Sequence, residues 1–341
     1  MSVYNNKPKA FYAGKLRAPR SKQQGVALIT ALLIAALVTV AAVAMASRQQ
    51  LDIRRTGNML EADQAYMYAL AAEAWVTQVL KEDKEKTQID TLTEDWAMKL
   101  PAIPVEGGSI SGSVEDLQGR FNLNNLIGAG SGNNSGGNGK PDPEQIKMLR
   151  SLLTQVSFAE EKVELSPFVA NRVADWIDSD LNALADGAED QVYLGLDVPY
   201  RAANRLMVSP SELAAVAGLS LRDVAALLPL VTALPESTPI NVNTAPEMVL
   251  LSLHDDITPR IAAELAEMRT DDTAFETADE FVKKLKDDYD IILDEKQVSA
   301  SSEYFLVTSD AAIGGTTLRM YSLLARKDKD IDVVSRGIGS Y

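Results

Sequence analysis

Apolar and polar positions divide the chain into three regimes. From Val26 to Ala46 there are 21 residues without a charge, which makes about 30 Å of α-helix, the thickness of a bilayer's hydrocarbon core. The apolar pattern does not stop at Ala46. Met59, Ala62, Tyr66, Ala69, Ala72, Trp75 and Val79 recur at spacings of three and four, the period of a helix with one buried face. Gly57 interrupts that pattern, and a lone glycine costs a helix only about 1 kcal/mol. Val26–Leu80 is therefore predicted as one helix, apolar all round in its first half and amphipathic in its second.

Beyond the helix the period changes. The stretch GGSISGSVEDLQGRFNLNNL, Gly107–Leu126, alternates with a period of two and breaks at glycines, so it predicts two short strands. Tyr304–Thr308, Thr316–Ala325 and Ile331–Ser335 predict three more, with Gly314-Gly315 as a hairpin turn. Between these groups, residues 144–298 follow helical spacing with Pro and Ser/Thr/Asp starts, and they are too long for a loop. Gly128–Pro143, GAGSGNNSGGNGKPDP, is a flexible linker by composition. The predicted fold is α+β: a long N-terminal helix packed on a small antiparallel sheet, with a large inserted all-helical domain. Its expected divisions are a leader (1–25), a transmembrane half-helix (26–46), a first part of the head (47–127), the linker (128–143), the helical insertion (144–298) and the strands that complete the head (299–341).

Charge orients this arrangement. Residues 1–25 carry Lys7, Lys9, Lys15, Arg17, Arg20 and Lys22 and no acid, so the positive-inside rule keeps the N-terminus cytoplasmic and exports the rest. Removing these six cations from the formal net charge of −15 leaves −21 outside, which argues against a basic face for nucleic acid or acidic lipid. Ala42-Val43-Ala44-Met45-Ala46 could serve a conventional signal peptidase, whereas the stripe that continues across Ala46 favours a helix that is kept. With no cysteine and a single His254, the chain lacks a thiol nucleophile and a multi-histidine metal site. It also lacks a glycine-rich phosphate loop. Enzymatic activity finds no support, and Lys81–Gln88 is a solvated charge run.

The sharpest chemical signal lies in DWIDSDLNALADGAEDQVY, Asp175–Tyr193. Asp178, Asp180, Asn182, Leu184, Asp186 and Glu189 occupy positions 1, 3, 5, 7, 9 and 12 of a loop, the ligand spacing of an EF-hand calcium site. Position 6, usually glycine, is Ala183, which counts against a true EF-hand turn. Asp175 and Asp190 add oxygens nearby. A solvated acidic loop capping a helix near Asp190 is the other reading; six carboxylates in the sixteen residues 175–190 repel one another unless a cation sits among them, which favours calcium. A second signal, INVNTAPEMVLLSLHDDITPRIAAELAEMR (Ile240–Arg269), followed by ADEFVKKL, has a helix-hairpin-helix pattern. Such a hairpin offers backbone N–H groups to a nucleic-acid phosphate, which raises a membrane-tethered DNA-binding protein for DNA uptake as an alternative function. Here His254-Asp255-Asp256 replace the expected glycines and would repel phosphate. The hairpin reads better as a packing unit, with Thr244 capping a helix that has Pro246 at its first position. Ser209–Val231 reads as a second two-helix unit.

A basic leader ending at Gly25, followed at once by an apolar helix, resembles the type IV pilin and pseudopilin class. In that class the prepilin peptidase cuts after the glycine on the cytoplasmic side, the new N-terminus is methylated, and the apolar helix is retained for polymerisation. The resemblance implies a cut between Gly25 and Val26. Most members carry Glu as the fifth mature residue, where it pairs with a neighbour's N-terminal ammonium inside the membrane; here that position is Thr30. An unpaired charge there is costly, so a subunit without the Glu suits the end of a filament. Together with DLQGRFNLNNL (Asp116–Leu126), the acidic motif and INVNTAPEMVL (Ile240–Leu250), these features resemble the minor pseudopilin K family of type II secretion systems, from about residue 20 to the C-terminus. The resemblance implies a periplasmic head anchored in the inner membrane at the tip of a pseudopilus, where it initiates or caps assembly. It implies minor pseudopilins I and J as partners, with H and the major pseudopilin as further neighbours. It also implies calcium in the helical domain, and no nucleic-acid partner.

Overall fold

The structure is a computed structural model that describes residues 24–128, 139–160, 163–269, 273–327 and 330–339. Most of the leader and of the Gly128–Pro143 linker fall outside the described residues. The chain divides into two units, Met1–Met59 and Leu60–Tyr341, and helix α1 spans Gln24–Lys86. In the first unit every residue from Val26 to Ala46 is exposed, and the helix is long and apolar enough to cross a membrane. A 21-residue sleeve of Val, Leu, Ile and Ala facing outward is stable only where the surroundings are apolar too.

In the second unit the order is β1 (Leu100–Val105), β2 (Gly108–Asp116), β3 (Phe121–Asn122), α2 (Pro143–Ala159), α3 (Val169–Ile177), α4 (Asp190–Tyr193), α5 (Leu221–Leu227), β4 (Val231–Thr232), β5 (Ile240–Asn241), α6 (Glu247–Ser252), α7 (Pro259–Glu267), α8 (Ala278–Tyr289), β6 (Val298–Ser299), β7 (Tyr304–Ile313), β8 (Thr316–Lys327) and β9 (Asp330–Ile338). The five-stranded sheet has the order β1-β2-β7-β8-β9, antiparallel throughout. Gly314 takes φ +55° in the β7–β8 hairpin, as the Gly-Gly pair predicts. Alternate residues of β7 face opposite ways. Phe305 and Val307 join Val76 and Leu80 of α1, Trp96, Val114 and Leu324 in one core, while Tyr304 and Leu306 join Leu117, Leu234 and Leu323 in another.

The buried stripe of α1 differs from the predicted one. It runs through Ala65, Ala69, Glu73, Val76 and Leu80, whereas Met59 is 62% and Trp75 50% exposed. The shift has a polar cause that no periodicity carries. Glu73 accepts from Ser322 Oγ (2.5 Å) and from Arg336 Nε and Nη2 (2.7 and 2.8 Å), so a carboxylate enters the stripe because distant strands supply its partners.

The insertion leaves the sheet after Asp116 and returns at Tyr304, where Asp116 pairs with Phe305 and Leu117 N–H donates to Tyr304 O (3.0 Å). Its interior is one continuous cluster from Phe121 to Val298. The predicted all-helical middle also contains β4, β5 and β6, which form the parallel pairs β3–β4 and β5–β6. Side-chain amides hold this neck. Asn122 bonds Glu236 O and receives Leu234 N–H, Asn124 bonds Met207 O and Leu234 O, and Asn125 exchanges two bonds with Thr238. Thr244 does not cap α6, whose N-cap is Pro246. Its hydroxyl instead donates to Asp116 Oδ2 (2.6 Å), which also accepts from Asn241 Nδ2 (3.0 Å) and Ser302 Oγ (2.6 Å). Burial drives the Asp116 pKa upward against these bonds.

Candidate metal centre

Helix α3 forms because Val169, Ala170, Val173, Ala174, Trp176 and Ile177 are buried together in the insertion core. That packing carries Asp175 into the interior and sets Asp178 at the helix C-cap. The next ten residues fold back without regular structure. Asp180 Oδ1 accepts from the N–H and Nδ2 of Asn182 (2.7 and 2.9 Å), and the Asp175 carboxylate gathers Leu184 N–H (3.1 Å) and Ala188 N–H (2.8 Å). The left-handed residue of the loop is Asp186 (φ +59°) rather than Ala183, so the turn is not that of an EF-hand. Aspartate tolerates this conformation better than alanine does. Gly187 follows because a Cβ there would collide with the Asp175 carboxylate. From α3, Asn171 Nδ2 holds Ala185 O (2.7 Å) and Arg172 Nε holds Asp186 O (3.2 Å).

The fold brings Asp178 and Glu189 together with Asp175. One oxygen from each lies within 4.8 Å of the others, and all three residues are buried. Asp178 Oδ1 and both oxygens of Glu189 are inaccessible and receive no hydrogen bond. Burial, reinforced by the neighbouring carboxylates, pushes Asp178 and Glu189 up to about 7 and raises Asp175 as well. Buried carboxylate oxygens without donors are costly alone. A set of hard oxygens this close fits a hard divalent cation.

The other predicted ligands are placed differently. Asp180 is exposed with Oδ1 engaged by Asn182, yet its charge still acts on Asp178 and Glu189. Asn182 and Asp186 are exposed. Leu184 O accepts from Gly187 N–H (2.9 Å). Asp190 is taken up by Arg201 Nη1 (3.2 Å) and Ala202 N–H (3.1 Å). One oxygen has no signal in the motif: Asn204 Oδ1 is buried without a donor, on a residue tied to Trp176 O (3.0 Å) and Asp180 O (3.4 Å).

At the other positions of interest, Gly25 and Val26 are exposed, and a side chain at Gly25 would touch nothing within 4 Å. Thr30 Oγ1 bonds back to Val26 O and Ala27 O, both at 3.0 Å. The α6–α7 hairpin uses its amides internally: Asp256 N–H donates to His254 Nδ1 (3.2 Å) and Ile257 N–H to His254 O (3.1 Å), while Asp255 pairs with Lys147 (2.7 Å).

The family description "Type II secretion system (T2SS), protein K" matches residues 119–236 and 240–286. The chain is 37% identical to the type II secretion system protein K of Pseudomonas aeruginosa, over 94% of both chains. It is 34% identical to that of Aeromonas hydrophila, over 92% of this chain and 97% of the other. It is also similar to a chain in the crystal structure of the GspK-GspI-GspJ complex from the enterotoxigenic Escherichia coli type 2 secretion system, with a TM-score of 0.70 and 26% identity, covering 84% of this chain and all of the other.

Proposed function

The chain belongs to the protein K family of type II secretion systems, and on that premise we propose that it is a minor pseudopilin at the tip of the periplasmic pseudopilus, where it initiates or caps assembly with minor pseudopilins I and J. The observation that carries this reading is likeness along nearly the whole chain, helix, sheet and insertion together. A terminal position is supported by Thr30. Its hydroxyl is satisfied within its own helix, so it makes no demand on a following subunit. The apolar first half of α1 and the basic leader support an inner-membrane anchor with a cytoplasmic N-terminus and a periplasmic bulk. The role is structural rather than enzymatic. Calcium is the cofactor proposed for Asp175, Asp178 and Glu189, supported by their orphaned buried oxygens; there it would neutralise mutual repulsion and fasten the loop to α3.

The test is co-purification of the full chain, in detergent, with separately expressed I and J. A stable ternary complex is expected. No association with either, together with duplex DNA binding at moderate salt, would favour the DNA-uptake reading instead.

A further inference from the structure

The exported part of the chain is strongly acidic, yet the first residues of α1 after its apolar run are not. Ser47–Asn58 contain Arg48, Arg54 and Arg55 against one acid, Asp52. Arg48 and Arg55 stand two turns apart on one face of the helix with Leu51 and Asp52 between them, and Arg54 flanks that face. All three arginines are exposed. Arg55 approaches Asp52 only to 3.9 Å, with 80% of its side chain accessible. Among the described residues Arg48 and Arg54 have no acidic partner. Leu51 and Ile53, 53% and 64% exposed, add apolar surface to the same two turns.

We propose that Ser47–Arg55 is a docking surface for anionic phospholipid headgroups on the side of the bilayer where α1 emerges. The inference rests on the reading of α1 as a membrane anchor. With the apolar run filling the hydrocarbon core, Arg48 stands at its boundary. Arg54 is about 12 Å beyond Ala46 along the axis. Helical side chains lean toward the helix N-terminus and cover the preceding turn, which here is the membrane side. The Arg54 guanidinium therefore comes back by about 5 Å, to the outer edge of a headgroup layer about 5–7 Å thick, and that of Arg55 stands about one residue rise beyond it. Guanidinium is the side chain suited to paired hydrogen bonds with phosphate, and the apolar stems and Leu51 rest at the interface. The occupant is a phosphodiester bearing net negative charge, because three cations against one acid gain nothing lasting from a zwitterionic surface.

The cysteine-free sequence allows a local test. The full chain with Gln50→Cys is labelled with a fluorophore and reconstituted in phosphatidylcholine vesicles. The vesicles contain trace phosphatidylglycerol or phosphatidylcholine bearing a quencher near the headgroup. Stronger quenching by phosphatidylglycerol is expected, with a preference of about fivefold for each guanidinium at the surface, lost in high salt. Arg48→Gln, Arg54→Gln and Arg55→Gln together should equalise the two lipids, since Gln keeps helix propensity, while the corresponding Lys variants should retain most of the preference. Equal quenching by both lipids with the native arginines would overturn the inference. A preference that survives the triple Gln variant would overturn it too. Failure of the chain to enter vesicles would instead refute the membrane anchor itself, and the inference with it.

Discussion

The residues that decide most are Asp178 and Glu189, since they are buried, carry oxygens without a donor and are held close to Asp175. Both were legible in the sequence, because a twelve-residue loop brings its first and last positions to one place. Asp175 was visible only as a nearby acid, and Asn204 not at all, because a later segment brings it there through tertiary packing. A calcium site of extracellular type binds at about 0.1–1 mM, and calcium at roughly ten times its dissociation constant adds more than about 1 kcal/mol. The melting temperature should rise by a few degrees. Trp176, packed edge-on against Tyr193 at 5.1 Å, should change its fluorescence. Asp178→Asn and Glu189→Gln should each abolish both responses while leaving the calcium-free protein as stable or more so, and a response intact in both variants would place the cation elsewhere. Protons compete for the same oxygens. Because the folded pKa values lie near 7, above the ordinary carboxylate value, the calcium-free fold gains stability as pH falls from about 7 toward 4. The calcium increment should therefore be largest above pH 7 and shrink toward about pH 5, as paired melting curves would show.

Among the elements, α1 was legible in extent but not in the exact face it buries. Spacing finds an apolar helix, yet the position of Glu73 in the stripe depends on Ser322 and Arg336, which the chain supplies far downstream. The β7–β8–β9 strands were predicted short; in β7 the predicted part, Tyr304–Thr308, is rich in aromatic and β-branched residues, whereas the part left out carries Asp310, Ala311 and Ala312, which strands disfavour. β1 was missed: it carries Pro101 and Pro104 in LPAIPV, and proline demotes a strand in any pattern reading. At the level of α1 the Thr30 hydroxyl is internally bonded, so Thr30→Ala should leave secretion close to normal. Thr30→Glu would put a carboxylate into the bilayer and should reduce anchoring or assembly. Secretion assays on the two variants check this, and loss of assembly in Thr30→Ala would reveal a contact made by the hydroxyl.

At the scale of the whole molecule, processing and folding separate cleanly. A side chain at Gly25 meets nothing within 4 Å, so Gly25→Val should fold normally yet keep its leader and block secretion; mass analysis should find native chains that begin at Val26 and variant chains that are uncut. The α+β plan was legible because the change of period is a local signal, whereas the insertion begins at Leu117, ahead of the Gly128–Pro143 stretch expected to precede it, because Phe121, Leu123 and Leu126 pack into its core. The neck was not legible, since Asp116, the Asn241–Thr244 turn and Ser302 meet from three separate stretches. That neck has a kinetic consequence. β2 and β7 are neighbours only after residues 117–303 have been looped out, and closing so long a flexible loop opposes their pairing by about 4–5 kcal/mol. An insertion that has already folded brings its own ends together and removes most of that barrier, so assembly should run from the inside outward, with the sheet zipping last. In a chain carrying Trp75→Phe and Trp176→Phe, Trp96 reports the sheet core alone. Its refolding should then speed up when calcium is added to the insertion, and slow down with Leu152→Ala in the insertion core. A Trp96 rate indifferent to both would mean that the sheet closes first and the insertion condenses onto a finished head.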